Sequence, residues 1–296
     1  MTTTPPVRID TRVEIPRPQV TVVPVLGVHR SGTSMFTRAL NLLGLDLGEP
    51  IMKPQPDNPK GFWENEFFYD VDLRLLHAMT CHVSGYGTVS QLLRIPALSY
   101  QVERTGDNLA VIENFVTQQF SSSAFWGWKD PRSVLLFPFW LSGLVELGFR
   151  QIRPAIITRH PASVVRSMAQ RADLAALASS VGCSGEDLAL QIWIAYSHAL
   201  LDVVEQTESF VSAHEWYLDQ DSARAELTRC VDYLGMPTCE SDMTAALQWL
   251  DPRAVHHSDH EFLGNLAGAS DALLLHEDLM AHARAQRARW RLLAAA

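Results

Sequence analysis

The sequence predicts an α/β fold, a three-layer architecture in which helices cover both faces of a parallel sheet. Short apolar runs, several of them rich in β-branched residues, alternate with longer segments whose apolar residues recur at helical spacing. This alternation is typical of a parallel sheet. Because no repeat or strong linker interrupts it, we predict one domain at 21–296 after an extended arm at 1–20. Strands are predicted at 21–26, 124–128, 154–158 and 210–214, and helices at 35–43, 65–79, 131–147, 186–206 and 222–234, from residue 161 and from residue 271.

Glycine and proline residues mark several of the predicted boundaries. Gly235 stands where a helix should end, because glycine adopts the left-handed conformation of a helix C-terminus without strain. Pro161 occupies the first position of a helix, where its missing N–H is not needed. The segment 50–61 is rich in Pro, Asn and Asp and is predicted to be a loop. The stretches 81–100 and 173–185 are predicted to be loops that shape a binding pocket.

The composition is that of an ordinary globular protein. The chain has 296 residues, of which 47% are hydrophobic and 19% charged, and its net charge is −9 at pH 7. This acidic balance argues against nucleic acid as a partner, because nucleic-acid binding needs a basic surface. No stretch reaches the about 18 consecutive apolar residues of a membrane span, and the N-terminus lacks the apolar core of a signal peptide. We therefore expect a cytoplasmic protein with no membrane partner.

Cysteine and histidine patterns give no clear metal-site signature. The four cysteines form no C-x-x-C pair and are expected to be free thiols in a reducing compartment; they are Cys81, Cys183, Cys230 and Cys239. Three imidazoles lie within 256–260, but the sequence positions no further ligand beside them, so a solvated loop is favoured. We expect no bound metal.

The segment 27–34 (GVHRSGTS) has the pattern of a phosphate-binding turn. It lies between a predicted strand and a predicted helix, where backbone N–H groups converge on an anion. Gly27 and Gly32 have the spacing of a Walker A loop, and Ser34 stands at its Ser/Thr position. Thr33 replaces the Walker A lysine, while Arg30 supplies a cation earlier in the loop. This pattern predicts one bound phosphate-like group rather than a triphosphate with magnesium. The candidate binding residues are His29, Arg30, Ser31, Gly32, Thr33 and Ser34.

Two motifs resemble those of a known family. GVHRSGTSMFTRAL resembles the 5′-phosphosulfate loop of sulfotransferases that use 3′-phosphoadenosine 5′-phosphosulfate (PAPS), in which (Lys/Arg)-Ser-Gly-Thr-(Thr/Ser) corresponds to 30–34. Further along the chain, RHPASVVRS resembles the family's 3′-phosphate motif through Arg159, Pro161 and Ser167. The resemblance spans 20–237 and implies a P-loop NTPase-like sulfotransferase fold, PAPS as cofactor and 3′,5′-ADP as product. The Arg-Lys-Gly loop of cytosolic sulfotransferases has no counterpart here.

The resemblance also implies a reaction, the in-line transfer of a sulfuryl group to a hydroxyl or amine of a small-molecule or carrier-bound acceptor. Cations must lie beside the leaving 5′-phosphate, and Arg30 is the first candidate and Lys129 the second. The acceptor must lose a proton to a general base. Glu64 is the leading candidate because aromatic neighbours should raise its pKa, although it could instead complement a helix dipole. Asp130 and His29 are the alternative bases.

Two other functions are compatible with this loop. A P-loop small-molecule kinase would share the strand–loop–helix unit, but the threonine at position 33 argues against it. A non-catalytic nucleotide-binding relative would keep the pocket without turnover. The sequence leaves the identity of the acceptor and the oligomeric state open.

Overall fold

A five-stranded sheet forms the centre of the protein in the computed structural model, which describes residues 20–55, 58–79, 82, 84–102, 106–250 and 261–294. The strands are β1 (Thr21–Leu26), β2 (Phe125–Lys129), β3 (Gln151–Ile152), β4 (Ala155–Thr158) and β5 (Phe210–Ala213). Their order is β2-β1-β4-β5, with β3 also paired to β1, and all four pairings are parallel. The four predicted strands are therefore present, each within one residue of its predicted bounds.

The helices connect these strands and surround the sheet. They are α1 (Thr33–Leu42), α2 (Glu66–Ala78), α3 (Val89–Leu92), α4 (Ile95–Gln101), α5 (Gly106–Phe120), α6 (Phe137–Glu146), α7 (Pro161–Ala169), α8 (Ala172–Val181), α9 (Gly185–Gln206), α10 (Gln220–Leu234), α11 (Glu240–Trp249) and α12 (Ala269–Ala294). Short 3₁₀ turns cover Pro131–Val134, His214–Tyr217 and Glu261–Asn265. Among the helices of the described ranges, none is long and apolar enough to cross a membrane.

The core lies in two layers, one on each face of the sheet. Successive residues of a strand point to opposite faces. Accordingly, Val23 and Val25 of β1 pack with α1, α10 and α11, whereas Val22 and Leu26 belong to the larger core formed with α2, α6, α7, α9 and α12. This arrangement confirms the predicted three-layer α/β architecture with a parallel sheet.

Two of the predicted loops are wrong in part, because helices occupy them. Within 81–100, α3 begins with a capping box of Thr88 and Gln91, and α4 has Pro96 in its first turn. Within 173–185, the alanine- and leucine-rich α8 extends to a left-handed Gly182. The turn residues visible in the sequence are thus caps of short helices rather than loop interiors.

Some elements of the structure differ from the prediction or were not predicted. The short β3 and the helices α5 and α11 are additions, and the helix expected at 131–147 is divided into a 3₁₀ turn and α6. Cys183, Cys230 and Cys239 are free thiols. The arm at 1–19, Cys81 and the histidines of 256–260 lie outside the described residues.

The outer strand β5 is covered by side chains of two helices. The amide of Gln286 in α12 accepts from the Val211 N–H (2.9 Å) and donates to the Ser209 carbonyl (2.8 Å). Arg229 of α10 donates to the Val211 carbonyl at 2.8 Å. These bonds take the place of a further strand at this edge, which would otherwise expose backbone groups.

Candidate functional site

Polar side chains collect where the parallel strands end. The loop 27–32 follows β1, Lys129 ends β2, Arg159 follows β4 and His214 follows β5. Carboxyl ends of parallel strands lie at one edge of the sheet, which is where ligands bind in open α/β folds. The topology therefore brings together groups that are far apart in the sequence.

Close packing shapes the turn between β1 and α1. A Cβ on Gly27 would lie 2.6 Å from the Ile157 carbonyl oxygen and 2.7 Å from Ser31 Oγ, so only glycine fits. Ser31 is buried and ties the turn by donating from both N–H and Oγ to the Val28 carbonyl, at 3.1 and 2.7 Å. Arg30 has a left-handed backbone with φ of 66°. Such strain in a non-glycine residue is concentrated at functional sites.

The turn ends at the N-terminus of α1, which has no side-chain cap. Its N-cap is Gly32, with φ of 92°, and no acidic residue lies in its first turn. The first-turn N–H groups of this helix therefore carry a partial positive charge suited to an anion. A Cβ on Gly32 would lie 2.4 Å from Cδ2 of His214, so the imidazole packs directly against the loop. Burial and then the charge of Arg159 lower the pKa of His214 to about 3, which keeps it neutral.

A buried ion pair lies beside this helix N-terminus. Lys129 Nζ is 2.5 Å from Glu64 Oε1, and the two side chains are only 2% and 8% exposed. The same ammonium donates to Ser34 Oγ at 3.3 Å and to the Phe62 carbonyl at 3.2 Å. Burial raises the pKa of Glu64, and Asp130 adds to the effect while Lys129 opposes it. A carboxylate with a raised pKa next to a cation is a candidate general base.

Backbone geometry fixes the position of Glu64. The preceding residue, Trp63, has a left-handed backbone with φ of 58°, and its indole N–H donates to the Lys60 carbonyl at 3.0 Å. The following residue, Asn65, caps α2 by accepting from the Phe67 N–H and donates to the Leu47 carbonyl, both at 3.0 Å. Glu64 is thus held between two anchored neighbours, one residue before the N-cap of α2.

Asp130 has a different partner. Its Oδ1 accepts from Arg132 Nε at 2.9 Å, and its Oδ2 from Arg132 Nη2 at 2.5 Å. The backbone N–H of Arg132 also donates to Asp130 Oδ1 at 2.9 Å. Because Arg132 engages both carboxylate oxygens, the geometry favours Glu64 over Asp130 as the base.

The two predicted phosphate motifs meet in the structure. Arg30 Nε donates to Ser167 Oγ at 2.9 Å, and Arg159 Nη1 donates to the carbonyl of Arg30 at 3.2 Å. Burial lowers the pKa of Arg159, and the charge of Arg30 lowers it further, while Glu215 opposes both. Since guanidinium groups stay protonated in proteins, two like charges are held close together. A bound anion would relieve this repulsion.

His29 faces an aromatic wall on the other side of the loop. Its Nε2 lies 3.2 Å from the hydroxyl of Tyr196, which donates to the Gly85 carbonyl at 3.0 Å. The imidazole also meets Tyr86 edge-on at a ring-centroid distance of 5.1 Å. Burial, followed by the charges of Arg132 and Lys129, holds the pKa of His29 well below 6.5. The structure therefore places a neutral imidazole here.

Four residues of this site were not predicted from the sequence, namely Tyr86, Arg132, Tyr196 and His214. A signal existed for His214, because it follows a predicted strand, as the other site residues do. Nothing local marks Tyr196, which reaches the site from the middle of α9. Among the described residues, no group of three or more His, Cys, Asp or Glu side chains is placed to hold a metal ion.

Comparisons with known proteins find solved structures of similar fold, among them two sulfotransferases. No protein-family model matches the sequence, and no curated protein matches it. The sulfotransferase domain from the curacin biosynthetic pathway is 13% identical, with a TM-score of 0.48, over 89% of this chain and 98% of that chain. Sulfotransferase STF1 from Mycobacterium tuberculosis H37Rv is 14% identical, with a TM-score of 0.40, over 78% of this chain and 71% of that chain. At these values the function must be inferred from the geometry of the site.

Proposed function

We propose that this protein is a PAPS-dependent sulfotransferase that acts on a hydroxyl or amine of a small-molecule or carrier-bound acceptor. The observation that carries the proposal is the ammonium of Lys129, which lies 3.3 Å from Ser34 Oγ beside the N-terminus of α1. In a Walker A loop the corresponding hydroxyl binds magnesium. Here a lysine of the chain supplies a cation at that hydroxyl, which suits a group less charged than a triphosphate.

The charged groups at the strand ends fit a nucleotide with two separate phosphates. The N–H groups of 32–34 and the ammonium of Lys129 suit the 5′ end, while Arg159 and Ser167 suit a 3′-phosphate. Arg30 bonds Ser167 through Nε, so its side chain extends toward the 3′ side. When bound, PAPS supplies a sulfuryl group on a phosphate oxygen that becomes more negative as transfer proceeds. We therefore assign Lys129, rather than Arg30, as the principal cation for that charge.

The ion pair couples proton removal to charge stabilisation. Glu64 accepts the proton of the acceptor hydroxyl or amine on a carboxylate oxygen and becomes neutral. Lys129, 2.5 Å away, then lacks its counter-ion, and its positive charge acts on the negative charge developing near Ser34. Because both side chains are buried, water screens this charge only weakly. The remaining loop residues orient the phosphates and exclude water.

A release assay with matched variants tests the proposal. Purified protein is given PAPS with and without a panel of hydroxyl and amine acceptors, and 3′,5′-ADP is measured. We expect release that depends on the acceptor, and a loss in kcat of about 10² to 10⁴-fold for Glu64→Gln, the range for a general base. Glu66→Gln is the control, because Glu66 is exposed two residues away.

The pH profile identifies the base independently. The base must be deprotonated, and burial raises the pKa of Glu64 above 4.5, so kcat should rise with pH through an apparent pKa above that value. Glu64→Gln should remove this acidic limb. Magnesium-dependent consumption of ATP in place of acceptor-dependent 3′,5′-ADP release would instead show a kinase. Tight 3′,5′-ADP binding without turnover on any acceptor would indicate a non-catalytic relative.

A further inference from the structure

A cleft lies near the amino end of the strand β5, on the side of the sheet opposite the candidate active site. It has a volume of about 730 Å³ and lies between the amino end of β5, the C-terminal parts of α9 and α10, and the last turns of α12. β5 has four residues and rises about 3.3 Å per residue, so the cleft is about 13 Å from the strand end that carries His214. It is therefore separate from the candidate active site, and its volume is in the range of small-molecule pockets.

The lining combines arginines with aromatic rings. Arg153 lies before β4, and its guanidinium is 5.5 Å from the centre of the Tyr233 ring. Arg229 is 4.1 Å from the Phe210 ring, and Trp290 and Arg289 project from the last turns of α12. Aromatic rings beside guanidinium groups form flat surfaces on which another planar group can stack.

The charge balance of this cleft is positive. Its walls carry Arg153, Arg229 and Arg289 against Glu208 and Asp232, and Asp232 accepts from the Trp290 indole at 2.8 Å. Behind the wall, two arginines share the buried Glu226: Arg229 Nη2 donates to its Oε2 at 2.6 Å, and Arg287 Nε lies 3.0 Å from its Oε1 in an ion pair. With Arg287 and Glu226 included, the cleft and its wall contain four arginines and three carboxylates.

One of these arginines has an unused donor. Arg229 is 3% exposed, and its Nε has no hydrogen-bond partner. Its other nitrogens bond the Val211 carbonyl, Glu226 and, at 3.4 Å, Gln286. A buried donor without a partner costs about 1–3 kcal/mol, so the surrounding groups do not fully satisfy this guanidinium.

We propose that this cleft is a second ligand site, which binds a planar aromatic molecule carrying a carboxylate or phosphate. Tyr233 and Trp290 flank the ring, while Arg153 and Arg289 hold the anionic group from the two sides of the cleft. Arg229, which lines the cleft from α10, adds positive charge on that side. The site does not depend on the proposed sulfotransferase activity.

Calorimetric titration with 2-naphthoate tests this site, and the uncharged isostere 2-naphthamide is the matched probe. We expect the wild-type protein to bind the carboxylate at least about tenfold more tightly than the amide, because charge-assisted hydrogen bonds are the stronger ones. Arg153→Gln and Arg289→Gln should each weaken 2-naphthoate binding about tenfold and leave 2-naphthamide binding unchanged. Arg284→Gln is the control, because Arg284 is exposed on α12 and pairs with Glu277 instead.

A variant of the other site distinguishes the two locations. Arg159→Gln should leave 2-naphthoate binding unchanged, whether or not the protein is a sulfotransferase. Arg153 and Arg289 are replaced rather than Arg229, because Arg229 is buried and paired with Glu226, and its replacement could unfold the protein. Absence of 2-naphthoate binding, equal affinity for the two probes, insensitivity to both arginine variants, or loss of binding in Arg159→Gln would each overturn the proposal.

Discussion

The two halves of the candidate active site handle charge in opposite ways. On the β2 side, Lys129 and Glu64 form a buried pair 2.5 Å apart, so opposite charges are matched within the chain. On the β4 side, Arg159 donates to the carbonyl of Arg30, and the two guanidinium groups raise each other's electrostatic energy. One half holds a matched pair in direct contact, whereas the other places two arginines close together, with Glu215 opposing their repulsion at Arg159.

In the proposed function, this difference gives the two halves of the site separate tasks. When the carboxylate of the balanced pair takes up a proton, the ammonium loses its counter-ion at a cost, and negative charge developing nearby would offset that cost. A pair of arginines held close together suits binding of an anion, because a bound phosphate places negative charge beside both guanidinium groups. The β2 half is therefore the chemical half in our proposal, and the β4 half is the binding half.

The most severe test of this division removes one member of the balanced pair. Lys129→Met leaves Glu64 buried without its partner, which should lower the free energy of unfolding by about 3–5 kcal/mol. Turnover should fall by about 10² to 10³-fold, the usual loss for an electrostatic stabiliser. Urea denaturation and the 3′,5′-ADP release assay measure the two effects. Lys53→Met, at an exposed lysine, should change neither.

The double variant separates stability from chemistry. Lys129→Met with Glu64→Gln removes both charges, so it should regain much of the lost stability while turnover stays low. If the double variant instead recovers turnover, the pair has only a structural role. If Lys129→Met is as stable as the wild-type protein, the two side chains are not paired in solution.

The sequence predicted the binding half of the site better than the chemical half. The β4 half is built from two local motifs, a loop of consecutive residues and the start of a helix. In both, the residue spacing alone predicts phosphate binding. Lys129 and Glu64 are 65 residues apart, and each was predicted as a candidate without the other. Their pairing arises from the way the loop before α2 folds over the end of β2, and no local pattern encodes that contact.

The same reasoning applies to Arg30, for which the sequence and the geometry favour different roles. Its place in the loop suggested contact with the leaving phosphate, because the motif is linear. In the structure its backbone is left-handed, with φ of 66°, and its Nε lies 2.9 Å from Ser167. The direction of a side chain depends on a backbone angle that sequence patterns do not report for a non-glycine residue.

A second test probes the binding half with two nucleotides. Arg159→Gln should weaken binding of 3′,5′-ADP by about 10 to 100-fold, the loss expected when charged hydrogen bonds to a phosphate are removed. Binding of 5′-AMP, which lacks the 3′-phosphate, should change little. Calorimetry gives both affinities, with Arg150→Gln at an exposed position as the control. Equal losses for the two nucleotides would show that Arg159 does not contact the 3′-phosphate.

Buried titratable groups support each half and predict opposite pH dependences. His214 packs under the loop of the binding half, and its pKa is lowered to about 3, first by burial and then by Arg159. The unfolded chain then binds more protons than the folded one between about pH 6.5 and 3, so stability should fall with acidification by up to about 1.4 kcal/mol per pH unit. His214→Gln should lose less stability than the wild-type protein between pH 7 and 5 in urea denaturation. His77→Gln, at an exposed position on α2, should behave like the wild-type protein.

Asp72 supports the chemical half and has the opposite effect. It is fully buried and accepts hydrogen bonds from Ser133 and from the Trp140 indole, the latter at 2.7 Å. Burial, and then the charge of Asp130, raise the pKa of Asp72 well above 3.8. The folded protein then binds the proton more tightly, so this carboxyl contributes less stability as pH rises from about 4 through its raised pKa.

Asp72→Asn, which imitates the protonated carboxyl, should therefore gain stability relative to the wild-type protein as pH increases. One proton limits the slope to about 1.4 kcal/mol per pH unit, and the two hydrogen bonds and Arg132, which favour the charged form, shorten the pH range over which the slope applies. Denaturation of the two proteins at a series of pH values measures the difference. A difference that is constant with pH would mean that Asp72 is charged in both states, and the contrast with His214 would then be lost. A difference that grows with pH would show that burial keeps the Asp72 carboxyl protonated in the folded protein at pH values where it is charged in the unfolded chain.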